Sequence, residues 1–171
     1  MTAWSEEQDC AAFARLARYN RWVNERLYAS CETLTDAQRK RDLGAFFGSV
    51  HGTLNHLLLT DLMWLGRFTG EVPALASLRD ELHAGFDELR AARVAADNAL
   101  LAFTETLSPA RLRAPITFTS VAAKLVRTFP LSTLLTHLFN HQTHHRGQVS
   151  VLIQQLGGDY GDIDLLFMPD L

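Results

Sequence analysis

The segment "FNHQTHHRGQ", residues 139–148, places three histidines in five positions, with His137 just upstream. Four of the seven histidines in the chain thus fall within nine residues. They are interrupted by Gln142 and Thr143 and lie deep in the chain, so they are not an expression tag. Imidazoles four apart on a helix stand about 6 Å apart on one face, close enough for two to reach one ion. His137, His141 and His145 form such a stripe. The outer two lie about 12 Å apart along the axis, whereas Zn–N bonds are about 2.0–2.1 Å. One ion therefore takes either His137 and His141 or His141 and His145. A third ligand must come from another segment, and "HGTLNHLLLTD" offers His51 and His56. These are rotated by about 140° about a helix axis, so at most one of them enters the same site. His83 has no partner motif and reads as an ordinary hydrogen-bonded side chain.

Other chemistries fit less well. Di-iron bundles use Glu-x-x-His pairs, and the sequence has none. Structural zinc sites favour cysteine, and Cys10 and Cys31 form no CxxC. There is no HExxH, P-loop, GxGxxG or GxSxG.

The elements that must carry these residues are helical by periodicity. Phe13, Leu16, Tyr19 or Asn20, Val23 and Leu27 recur at three and four, predicting a first helix over 6–31. "TDAQ" at 35–38 is a capping-box pattern for a short turn. A second helix is predicted over 48–69, ended by Gly70 and Pro73. A third is predicted over 77–107, from Leu78, Leu82, Phe86, Leu89 and onward, followed by a short turn capped at Ser108–Pro109. Residues 115–130 become rich in β-branched residues and alternate, predicting a small hairpin or extended crossover. A fourth helix is predicted from 130–132 to 156, stopped by "GGDYGD", with "IDLLFMPDL" packing back on the body. The expected fold is all-α, a four-helix bundle with one long connection between helices three and four. Trp22 and Trp64 read as core aromatics. Trp4 and Phe13 read as candidates for a helix–helix seam between subunits.

At 171 residues the chain is expected to form a single domain, 1–171, with a substantial core. A net charge of -3 argues against nucleic acid, which needs clustered Lys and Arg. No apolar run approaches the roughly 20 residues of a membrane span, and the acidic start shows no signal-peptide core. Cys10 and Cys31 on one helix would stand roughly 31 Å apart, too far to bridge. Free thiols in a reducing, cytoplasmic setting are the expectation.

"SVHGTLNHLLLTDLMWLGRF", followed far downstream by "LTHLFNHQTHHRGQV", resembles the DinB family of bacterial damage-inducible proteins. The likeness covers nearly the whole chain, including "DIDLL" near its end. The resemblance implies an up-down-down-up four-helix bundle, usually dimeric. It also implies one divalent ion, often nickel or zinc, held by three histidines. Carried over by position, these are His56 on the second helix and the HxxxH pair His141 and His145 on the fourth. His137 then supports the ligands or packs, as do His51 and His144.

Three neutral imidazoles leave open positions on an ion, as in working zinc sites. A coordinated water would ionise near neutral pH, and a coordinated thiol would be held as thiolate. Branches of the superfamily that the chain resembles include thiol-dependent transferases and isomerases. The leading expectation is a metal-dependent, thiol-dependent S-transferase acting on a small-molecule substrate with a low-molecular-weight thiol. The alternatives are a metal-hydroxide hydrolase and a non-catalytic, stress-related metal-binding dimer. Asp61 is a candidate base or imidazole-orienting group. Arg146 is a candidate for pairing with a substrate carboxylate, and His144 for protonating the electrophilic partner.

Overall fold

Each of the four long helices carries a heptad seam, and each seam is interrupted by polar residues. In the computed structural model, which describes residues 6–74, 77–121 and 123–169, these are α1 (Glu6–Glu32), α3 (Val50–Thr69), α4 (Phe86–Glu105) and α6 (Leu131–Gln155). Two short helices, α2 (Asp36–Lys40) and α5 (Pro109–Arg113), and a 3-10 turn at Leu165–Phe167 complete the helical part. The α1 seam runs Phe13, Ala17, Asn20, Asn24, Leu27, Cys31, all buried. On α3 it runs Val50, Leu54, Leu57, Asp61, Trp64, Phe68, and on α4 Phe86, Leu89, Arg93, Ala96, Leu100, Phe103. On α6 the positions include Leu135, Leu138, Gln142, His145 and Val149. Spacings of three and four keep such a stripe on one face, so each helix buries it against its neighbours. The contacts form a ring: α1 packs on α4 and α6, and α3 packs on the same two.

The polar interruptions divide the apolar interior into two clusters. One gathers Leu27, Leu54, Leu57, Leu89, Val149 and Ile153. The other gathers Phe13, Trp64, Phe103, Leu135, Leu138 and Phe139. Between them lies a buried charged layer drawn from all four helices. Arg93 pairs with Asp61 at 2.8 Å and with Asp97 at 2.9 Å. Asn20 and Asn24 donate to Asp97, Arg146 donates to the Asn20 side chain, and Gln142 donates to Asp61.

The termini of these helices follow their local sequence. The Ser49 hydroxyl accepts from the N–H of Gly52 to start α3, and Gly70 ends it at φ 93. Thr35 and Gln38 form the reciprocal capping box of α2. Strands β1 (Pro115–Thr119) and β2 (Val126–Pro130) pair antiparallel, with Ile116 opposite Phe129 and Phe118 opposite Arg127. Of the hairpin or extended crossover expected before the fourth helix, this is the hairpin. In the tail, Met168 is buried and the Ile163 carbonyl accepts from the Tyr19 hydroxyl, while Leu166 and Phe167 stay exposed.

Two expectations need correction. The third helix starts at Phe86, not 77; the described residues of 77–85 are non-helical. Their backbone is captured by α3 side chains. Asn55 Oδ1 accepts from the N–H groups of Leu82 and His83, and Asn55 Nδ2 and His51 Nε2 reach the His83 carbonyl. Groups bonded this way cannot serve a helical ladder. Phe13, expected at a subunit seam, is instead buried in its own chain, stacked on Phe139. Trp4, the other seam candidate, lies outside the described residues. Cys31 is buried and its thiol is pushed up to about 12 by that burial; neither it nor Cys10 is bridged.

Candidate metal centre

α3 and α6 lie side by side and bring His56, His141 and His145 together. One ring nitrogen from each lies within 4.8 Å of the others. His56 Nε2 and His141 Nε2 are 3.4 Å apart. A tetrahedral ion with bonds of about 2.0–2.1 Å sets its ligand nitrogens about 3.3 Å apart, so this pair already has coordination spacing. Among the described residues, no other group of three His, Cys, Asp or Glu side chains converges in this way.

Hydrogen bonds outside the cluster fix which nitrogens face inward. His56 Nδ1 lies 2.9 Å from the Leu78 carbonyl, which can only accept, so Nδ1 carries the proton and Nε2 keeps its lone pair. His145 Nδ1 meets Gln148 Oε1 at 2.8 Å in the same sense. Outer acceptors of this kind orient metal-ligating imidazoles and raise their basicity. Phe47 stacks on the His56 ring at 3.8 Å and meets His145 edge-on, closing one side. Burial pushes His56 down to about 4, against the pull of the Leu78 carbonyl. His141 is pushed down to about 3, first by burial and then by the His145 and His56 imidazoles. His145 is lowered as well, chiefly by burial. At neutral pH the three rings are uncharged donors, which is the state a divalent ion requires. The donor set fits such an ion.

The cluster sits at the end of a cavity of about 450 Å³ between α3, α6 and the hairpin, with Trp64, Phe118 and Leu134 in its walls. A second, more polar cavity of about 660 Å³ reaches His56 from the side of residues 40–52 and 79–81.

Comparison with known proteins agrees with this architecture. The family model described as DinB family matches residues 7–171. The chain belongs to the DinB family. It is 26% identical over 158 residues to Protein DinB of Bacillus subtilis (strain 168), covering 86% of this chain and 90% of that one. A crystal structure of a DinB-like protein from Bacillus cereus ATCC 10987 superposes with a TM-score of 0.63 at 19% identity, over 82% of this chain and 89% of that one. That likeness speaks to the fold.

The other candidate residues divide between the charged layer and the surroundings of the cluster. Asp61 and Arg146 point into the charged layer, where they meet Arg93, Gln142 and Asn20. Neither lines the cavity beside the histidines. Their visible contacts tie helices together, a different place from the substrate contacts expected of them. His144 is exposed, its ring edge-on to that of His145 at 4.8 Å and its Nε2 within 3.3 Å of Gln148 Nε2, so it touches the cluster both directly and through the residue that holds His145. His137 lines the cavity, its ring edge-on to Trp64 at 5.2 Å. His51 is buried against the His83 carbonyl and borders the second cavity, which also reaches His56. The sequence pattern does not single out Phe47, Asn55 or Gln148. Gln148 stands three residues after His145, a spacing that could flag it; nothing local marks Phe47.

Asn55 carries the strap that supplies the Leu78 carbonyl to His56. Asn55→Ala should loosen that strap and lower divalent-metal affinity by about 10–100-fold, the usual cost of losing a residue that supports a ligand. Competition with a chromogenic chelator measures it. Unchanged affinity would show that the strap holds its place without Asn55.

Proposed function

We propose that this DinB-family protein binds one divalent ion per chain, nickel or zinc, through His56, His141 and His145. We propose further that it catalyses thiol-dependent S-transfer on small molecules. The observation that carries the reading is the convergence of three neutral imidazoles, two of them aimed by fixed Nδ1–H bonds, beside an open apolar cavity. A sealed structural site would use all four positions of the ion, and three protein ligands leave one free. When bound, the ion supplies Lewis acidity that favours the ionised form of a coordinated thiol or water.

The protein's part is positional. Phe47 and the cavity walls restrict water at the His56 ring, and Gln148 holds His145 while bridging to the exposed His144. In the reaction the S–H proton passes to solvent and a C–S bond forms; the bond that breaks is carbon–halogen, releasing halide with its electron pair, or the C–O bond of an epoxide, whose oxygen keeps the pair and takes up a proton. The thiol is external in this reading: Cys31 is buried with its thiol pushed up to about 12, and neither Cys31 nor Cys10 lines the cavity beside the histidines. The two core clusters support the up-down-down-up arrangement. One takes the start of α1 and α6 with the end of α3 and α4, and the other takes the opposite ends. A single domain and a homodimer complete the proposal, the latter on the family resemblance.

The test is kinetic. Conjugation of a low-molecular-weight thiol to a panel of aryl halide and epoxide electrophiles should require the metal-loaded protein and persist in a Cys10→Ser, Cys31→Ala variant. Equal rates with and without metal, or loss only in the cysteine variant, would overturn it. Turnover by water without thiol would favour the hydrolase.

A further inference from the structure

The cavity beside the histidines is long, apolar and cationic at one end. On α3, His56, Thr60, Trp64 and Arg67 face it in succession, and on α6 Leu134, His137 and His141 do so. His56 and Arg67 are eleven positions apart, about 16 Å along the helix. The histidines thus close one end and Arg67 stands near the other. The hairpin forms the outer wall through Phe118, Arg127 and Phe129.

Arg67 is placed as an anion receptor is placed. Its guanidinium lies over both aromatic rings, 4.5 Å from that of Trp64 and 4.3 Å from that of Phe118, which themselves meet edge-on at 5.1 Å. Arg127 pairs across the hairpin with Phe118, so a second guanidinium borders the same cavity. Among the described residues neither arginine has a carboxylate partner, and no Asp or Glu lines this cavity. Arg67 makes one weak hydrogen bond, to the Thr119 carbonyl at 3.4 Å, leaving most of its five N–H donors free. Half-burial lowers its pKa, the expected penalty for a charge held away from water without a counter-ion. In a chain of net charge -3, two unpaired cations around an otherwise apolar space are a specific feature.

We infer that this cavity binds an elongated apolar carboxylate, with its carboxylate on Arg67 and Arg127 and its reacting end at the histidine cluster. The aromatic and aliphatic walls take the body, and the stacked guanidinium offers a planar fork that matches a carboxylate in bidentate fashion. The volume lies within the ordinary range for small-molecule sites, about 300–1,000 Å³. This deepens the proposed function by naming the class of the electrophilic partner, and it rests on the histidine cluster being the working site.

The probe is 4-phenylbutyrate, compared with 4-phenylbutyramide, by calorimetric titration into the metal-loaded protein without thiol. The acid should bind at least about tenfold tighter than the amide, as expected for a hydrogen-bonded ion pair away from water. Arg67→Gln should remove that preference while keeping the amide affinity and one ion per chain. Arg127→Gln, at an exposed hairpin position, should reduce the preference severalfold, and it decides the matter if the Arg67 variant does not fold. No binding of the acid, equal binding of acid and amide, or a preference that survives in Arg67→Gln overturns the inference. The last outcome would place the carboxylate on the ion itself. Because no thiol is present, these failures leave the transferase reading standing. Normal acid binding with no thiol conjugation would remove that reading instead.

Discussion

His141→Ala should abolish stoichiometric divalent-metal binding, the largest functional loss expected of any single substitution in the chain. His141 is the centre of the cluster: its Nε2 stands 3.4 Å from His56 Nε2, and its ring centroid is 4.4 Å from that of His145. Its removal leaves two ligands on different helices, and among the described residues no other His, Cys, Asp or Glu converges with that pair as a third ligand. The effect should exceed the about 10–100-fold expected for supporting residues. His83→Ala is the control, because only the His83 backbone serves the strap. Elemental analysis of purified protein is the measurement, and full occupancy in His141→Ala would sink the assignment.

The lowered pKa values give that result a pH dependence. His56 at about 4 and His141 at about 3 stay unprotonated well below the ordinary histidine value of 6.5. Proton competition for the ion should therefore begin nearer pH 5 than pH 6.5. For the metal-free chain the sign follows from linkage. Below pH 6.5 the unfolded histidines take up protons that the folded cluster refuses, so stability falls as pH drops from 6.5 through about 4. Thermal melts of the metal-free chain across that window should show the decline, and His56→Gln should flatten it. A melt that is flat between pH 6.5 and 4 in the parent chain would contradict the burial of these rings.

The histidine spacing makes the cluster legible in the sequence itself. An HxxxH on a periodic segment can only place two imidazoles on one face, and a second histidine-bearing helix offers the third. Spacing alone does not choose between His51 and His56, because a five-residue separation says only that they face different ways. The strap at 77–85 escapes the helical pattern for a physical reason. Leu78, Leu82 and Phe86 recur at helical intervals and are at least half-buried, but Asn55 and His51 claim the backbone groups a helix would need. That competition is long-range, and periodicity does not register it. The charged layer does carry a sequence signal. Asn20 and Asn24, Arg93 and Asp97, and Gln142 and Arg146 are polar pairs four apart, each interrupting or flanking an apolar seam. Polar residues at seam positions of four helices suggest a shared buried network, and Asp61 and Arg146 belong to it.

Arg93→Met should be the most destabilising conservative-volume change in the protein. Arg93 is 2% exposed and is the only cation within ion-pair distance of Asp61 and Asp97 among the described residues. Its loss leaves two carboxylates buried without a counter-charge, which typically costs about 3–5 kcal/mol. At about 2–4 °C per kcal/mol for a chain of this size, the melting temperature should fall by roughly 6–20 °C. Adding Asp61→Asn and Asp97→Asn should recover most of it, since the amides still accept from Gln142, Asn20 and Asn24. A loss under about 1 kcal/mol in Arg93→Met would show that water or another group already neutralises the layer. The layer also has a consequence for the metal centre. Gln142 follows His141, Arg146 follows His145, and both are anchored to α3 or α1 through this network. If the network sets the register of α6 against α3, Arg93→Met should weaken metal binding more than Leu89→Ala, a core truncation expected to cost a similar 2–5 kcal/mol or so. Equal weakening in the two variants would mean that the ion responds to stability alone, and that apolar packing is sufficient to align the three histidines.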